Sequence, residues 1–175
     1  RFVCCQPLNG SRDNFIAALK DPNSRVKFFA AQSLGKLSSI DTAIAARSTP
    51  ALLEALRTNN DVDLHLRHAA VMGLTGGKNL AALDAAITDS SRAVRTGVLL
   101  AFRRLERPEI ARFLNDADPY LVREAALAIN DRPINDAMPA LAALIDNHAV
   151  LNASLAAWNK AVAASATVEA ERLRL

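Results

Sequence analysis

The stretch DSSRAVRTGVLLAFRRL, Asp89–Leu105, decides the fold, because DPNSRVKFFAAQSLGKL, Asp21–Leu37, carries nearly the same arrangement. In each an acid leads, an apolar residue follows five positions on, and a base stands beside it. These are Val26 and Lys27 after Asp21, and Val94 and Arg95 after Asp89. Asp61, Leu66 and Arg67 repeat the offsets, and a copy one residue shorter has Asp118, Val122 and Arg123. A fifth has Asp146 and Val150, with Leu151 in place of the base. The apolar anchors are spaced by 40, 28, 28 and 28 residues. A near-constant period of this size marks a stack of repeated supersecondary units.

Within each copy the apolar residues fall at helical spacing. From Val94 the face is Gly97, Val98, Ala101 and Phe102; from Val26 it is Phe29, Ala30, Ser33 and Leu34; from Val150 it is Ala153, Ser154, Ala157 and Trp158. That is one stripe of an α-helix. The leading acids suit N-caps, since a carboxylate accepts from the orphan amides of a first turn. Pro22 and Pro119 follow Asp21 and Asp118 at a position where a missing N–H costs nothing.

Second apolar stretches lie between the first helices: PALLEALR (50–57), NLAALDAAIT (79–88), PEIARFLN (108–115) and MPALAALI (138–145). DNFIAALK (13–20) reads as the second helix of an earlier unit whose first helix is missing or degenerate. The unit is helix–turn–helix. The 40-residue interval is expected to hold an added helical turn or two before Thr49-Pro50 opens the usual second helix. TGG at 75–77 reads as a helix C-cap, where glycine tolerates the left-handed conformation. One unit cannot bury its stripe alone, and stacking buries it. The expected fold is all-α: a right-handed α-α superhelix of about five helical hairpins, first helices convex and second helices concave. It forms one domain over 1–175, with units 1–20 (partial), 21–60, 61–88, 89–117, 118–145 and 146–175.

The bulk numbers agree. The chain has 175 residues, of which 35 are Ala and 24 Leu, and aromatics make up only 5%. Ala and Leu lose least on entering a helix. The net charge of +3 is too mild to imply a nucleic-acid partner by itself. No apolar run reaches the roughly 18 residues of a membrane span. The chain opens on Arg1, which reads as a fragment of a longer protein. Cys4 and Cys5 are adjacent and cannot frame a disulfide-stapled fold, so the compartment stays open.

Several residues invite a chemical reading beside a structural one. The acid–base pairs Asp21/Lys27, Asp61/Arg67, Asp89/Arg95 and Asp118/Arg123 are expected to form a ladder across the turns, Arg being suited to two acceptors at once. His65 and His68 share a helix face but lack a third ligand, so no metal site is expected. Arg92, Arg95, Arg103, Arg104, Arg107 and Arg112 concentrate positive charge, but Glu106 and Glu109 dilute it and stacking aromatics are missing. No phosphate loop, nucleophile elbow or paired-carboxylate motif appears, so no catalytic residue and no cofactor is expected.

DPNSRVKFFAAQSLGKL, LRHAAVMGL and SSRAVRTGVLLAFRRL resemble HEAT-like repeats of the short phycobilisome-lyase type, over roughly residues 13–160. The resemblance implies an intramolecular Asp–Arg ladder that stops at Leu151. More narrowly, LRHAAVMGL and DPYLVREAALAINDRPI are similar to the helical segment of large bacterial exported dehydrogenase/c-type cytochrome proteins, which implies a periplasmic or extracytoplasmic setting. The expected function is a non-catalytic scaffold for another protein or another domain of the same polypeptide. The alternatives are a structural module of such an exported oxidoreductase and, further off, a nucleic-acid binder or bilin lyase. Glu54, Arg57, Asp84 and Arg112, exposed by helical phase, are the expected contact residues.

Overall fold

The computed structural model describes residues 8–146, together with 152, 155, 156, 159, 160, 162 and 163. The fold is all-α, and no strand occurs among the described residues. The helices are α1 (Leu8–Ala18), α2 (Ser24–Ser38), α3 (Thr42–Asn59), α4 (Leu64–Gly77), α5 (Leu80–Ala85), α6 (Arg92–Leu105), α7 (Pro119–Asp131) and α8 (Met138–Asp146). Two 3-10 segments, Pro108–Asn115 and Asn135–Ala137, interrupt the second half. The fifth copy, with Val150, Leu151 and Trp158, lies outside the described residues, as do Cys4, Cys5 and His148.

The chain divides into two compact units between Leu105 and Glu106. Glu106 itself is left-handed, with φ of 53°.

In the first unit, local chemistry starts each first helix. A two-step cap recurs. The leading acid accepts the amide two residues on, Asp21 from Asn23 at 2.7 Å and Asp89 from Ser91 at 2.8 Å. The residue so held then caps the helix: Asn23 accepts from the Arg25 amide and Ser91 from Val94, while Asp63, its own amide held instead by the Asn59 side chain at 3.1 Å, accepts from His65 and Leu66. Each device satisfies amides that the first turn leaves without an intrahelical partner.

The second unit repeats it with a shifted register. Asp116 takes the Asp118 amide at 2.8 Å, and Asp118 caps Tyr120. The fourth copy is thus not a shortened one led by Asp118. Asp116 leads, Asp118 is the N-cap, and Leu121, fully buried, fills the anchor position of Val94. The acid-x-cap pattern was present in the letters, but the apolar pair Leu121-Val122 disguised which residue was the anchor.

Several further expectations change for identifiable reasons. Pro50 does not open a helix; α3 runs through it from Thr42 to Asn59. The ring removes the hydrogen bond to the Ala46 carbonyl, but Ala46 and Pro50 both lie on the exposed side, where water can serve. The segment 108–115 has the expected bounds but is 3-10 rather than α. Ile110 and Phe113, three apart and fully buried, stack on one edge in the 3-10 period. They join Leu114, Leu121, Ala125, Ala128 and Ile129 as the apolar core of the second unit.

The α2 face is also rotated. Ala30, Ala31 and Leu34 are buried, but Phe29 is 56% exposed and stands edge-on to Phe28 at 5.3 Å. In α6 the corresponding Gly97 is buried against Leu56 of α3. Before α2 the described chain supplies only a second helix, α1, so nothing described covers Phe29.

Glycines set the closest packing in the first unit. A Cβ on Gly35 would sit 2.8 Å from the Gly73 Cα, and one on Gly73 would sit 2.9 Å from the Ala31 carbonyl oxygen. A Cβ on Gly76 would strike the Gly35 carbonyl oxygen. Helices α2 and α4 therefore meet backbone to backbone. The glycines of TGG are helical, not C-cap residues; the left-handed cap is Lys78, φ 47°.

Candidate functional site

The expected ladder pairs resolve one by one. Asp61 and Arg67 meet at 3.3 Å. Arg95 donates to the Asp89 backbone carbonyl at 2.9 Å rather than to its carboxylate. The Asp89 carboxylate is taken by Arg57, through Nη1 at 2.8 Å and Nη2 at 2.9 Å. Arg57, expected as an exposed contact residue, thereby ties the C-terminal end of α3 to the turn before α6. The Arg57 guanidinium, with the Ser91 amide behind it, lowers the Asp89 carboxyl below its ordinary value. In return Asp89 first, then Glu54, holds the Arg57 charge more firmly. Arg123 bonds Glu124 at 2.7 Å.

Asp21 and Lys27 do not pair. The Asp21 carboxylate is committed to the Asn23 amide, and Lys27 points into a cleft. This cleft, about 460 Å3, lies where the second helices α1 and α3 face each other above the starts of α2 and α4. Its apolar floor is Ile16, Leu19, Ala51, Ala55 and Leu66; Lys20, Lys27 and Glu54 supply its charges. Leu19, Ala55 and Leu66 are buried beneath it. Glu54 is held by the Arg57 Nε at 3.1 Å and accepts the Thr58 hydroxyl at 3.4 Å. Among the described residues neither Lys20 nor Lys27 has an ion pair.

Of the expected contact residues, only Glu54 lines this cleft. Asp84 is half-buried at the end of α5, and Arg112 is exposed in the 3-10 segment of the second unit. Lys20 and Lys27 were missed as cleft residues. Lys20 follows the last turn of α1, and Lys27 fitted the ladder by spacing alone.

The histidines lie elsewhere. His65 is 92% exposed at the start of α4. His68 lines a shallower groove with Gln32, Lys36, Met72 and Thr75, over the α2–α4 glycine contact. No cluster of three metal-ligating side chains occurs among the described residues. Of the arginine cluster, Arg95 is bonded to its own turn and Arg107 to Glu109 at 2.8 Å. No described helix is long and apolar enough to cross a membrane.

Residues 12–40 match the family model of the HEAT repeat. That span runs from α1 through α2 and includes the first two-step cap. No curated protein matches the chain. Among solved structures, a crystal structure of an engineered protein from the Northeast Structural Genomics Consortium is similar over 74% of this chain and 68% of that one, at 14% identity and a TM-score of 0.39. That score is too low to bear on the fold.

Proposed function

We propose that this HEAT-like repeat chain is a non-catalytic scaffold that holds a segment of another protein, or of another domain of the same polypeptide, against the paired second helices of its first unit. The observation that carries the reading is the α1–α3 cleft, which joins an apolar floor to charged walls. Stacked helical repeats present extended surfaces of this kind, and their function resides in what the surface grips. A volume of about 460 Å3 accommodates one or two large side chains of a bound segment. The variant in which the partner is a dehydrogenase or cytochrome domain of one exported polypeptide uses the same cleft and differs only in what fills it.

The test is selection of a displayed random-peptide library on the immobilised chain, repeated with Ala51→Arg. Ala51 is half-buried in the cleft floor on α3, where arginine keeps the helix propensity and fills the space. The expected result is a family of enriched peptides that bind the native chain and lose binding to the variant, with helicity unchanged. No enrichment, or enrichment indifferent to Ala51→Arg, overturns the proposal.

A further inference from the structure

We infer that the occupant of the α1–α3 cleft is an acidic-apolar peptide segment, with an aliphatic side chain on the floor and a neighbouring carboxylate between Lys20 and Lys27. The inference rests on the scaffold reading above and adds the chemistry of the partner. It starts from an imbalance of charge. Three charged side chains line the cleft, and only the anionic one is satisfied from within the fold: Glu54 by Arg57 and Thr58. Lys20 and Lys27 face the same space with no carboxylate paired to either among the described residues.

Lys27 differs from its counterparts in the next two copies. Arg67 and Arg95, at the same position in the next two copies, are bonded to the turns that precede their own helices. Asp21 takes the Asn23 amide and makes no ion pair with Lys27, whose side chain lines the cleft. The surplus positive charge therefore sits beside buried apolar surface, where an incoming carboxylate is less screened than in open solvent.

The floor argues against a nucleic acid. Ile16, Leu19, Ala51, Ala55 and Leu66 include no aromatic ring on which a base could stack, and two lysines are few for tracking a phosphate backbone. An aliphatic side chain fits that floor, and its burial adds affinity that a bare anion would not gain.

The test uses the whole chain and three short fluorescein-labelled peptides of one sequence, with Leu-Asp-Leu, Leu-Asn-Leu or Leu-Lys-Leu at the centre. Binding is read by fluorescence anisotropy at low and high salt. The Asp peptide is expected to bind roughly tenfold tighter than the Asn peptide at low salt, with the gap closing as salt rises. Lys20→Gln with Lys27→Gln should remove that preference. Lys36→Gln, in the separate groove over the α2–α4 contact, should keep it. Because neither cleft lysine supports the fold by an ion pair, the double variant should melt like the parent.

Equal binding of the Asp and Asn peptides, both lost with Ala51→Arg, overturns the acidic partner and leaves the scaffold standing. Absence of binding by all three peptides, together with failure of the library selection, overturns both. A labelled single-stranded oligonucleotide that binds more tightly than the Asp peptide through the same two lysines also overturns the inference.

Discussion

Arg57 and Asp89, 32 residues apart, meet through two parallel hydrogen bonds of 2.8 and 2.9 Å. The pair joins α3 to the turn before α6, so it reports directly on stacking within the first unit. The Asp89 side chain is 19% exposed, and its second function is to hold the Ser91 amide. Asp89→Asn should cost on the order of 1 kcal/mol at neutral pH. Chemical denaturation of the two chains checks this, and an unchanged midpoint would show that the bridge adds nothing.

The same carboxylate sets a pH dependence. Its folded pKa is lowered by Arg57 and the Ser91 amide. The bond is therefore at full strength above the unfolded carboxylate value of about 3.9 and is lost as pH falls through the lower folded value. Asp63, lowered by the Leu66 and His65 amides, acts with the same sign. The stability gap between the native chain and Asp89→Asn should be widest near neutrality and should shrink below about pH 4. Melting curves across that range test it; a gap that grows in acid would contradict the assignment.

Gly76→Ala tests the backbone contact of α2 with α4. Alanine is the better helix former by about 1 kcal/mol, yet its Cβ would strike the Gly35 carbonyl oxygen, which cannot rotate away. Overpacking of that kind costs about 1–3 kcal/mol, so the net effect should be destabilising. Gly77→Ala makes the control, since its Cβ would meet only the side chains of Ser38 at 3.3 Å and Ala45 at 3.4 Å. The loss at Gly76 should exceed the loss at Gly77; the reverse order would mean the helices are not in backbone contact.

The buried hydroxyls of Ser38 and Ser48 lie 2.6 Å apart, and Ser48 also donates to the Ile44 carbonyl at 2.9 Å. The proton therefore runs from Ser38 to Ser48 to the helix. Ser48→Ala strands the Ser38 hydroxyl and should cost about 1–3 kcal/mol. Ser38→Ala leaves Ser48 bonded and should cost about 1 kcal/mol or less. The double alanine variant should be more stable than Ser48→Ala alone, which a double-mutant cycle measures directly.

The Asp63 N-cap takes two amides at 2.9 and 3.1 Å. Asp63→Ala should lower stability by about 1 kcal/mol, and Asp63→Ser should recover most of it. Thermal melts of the three proteins decide; equal loss in both variants would assign the effect to charge rather than to capping.

The letters alone determined that the chain is helical, the start of each first helix to within about two residues, and the apolar face of α6. Those features rest on bonds spanning two to four residues and on a periodicity carried by one helix, so neighbouring side chains encode them. The α2 face was misjudged at Phe29 because burial there depends on what lies beyond the helix, not on its own period. Tertiary structure alone decided that TGG serves close packing, that Asp89 belongs to Arg57 rather than Arg95, and that Lys27 faces the cleft. Each of these depends on the distance between segments far apart in the chain. A residue's type says which bonds it can make, but only the approach of another helix says which partner arrives.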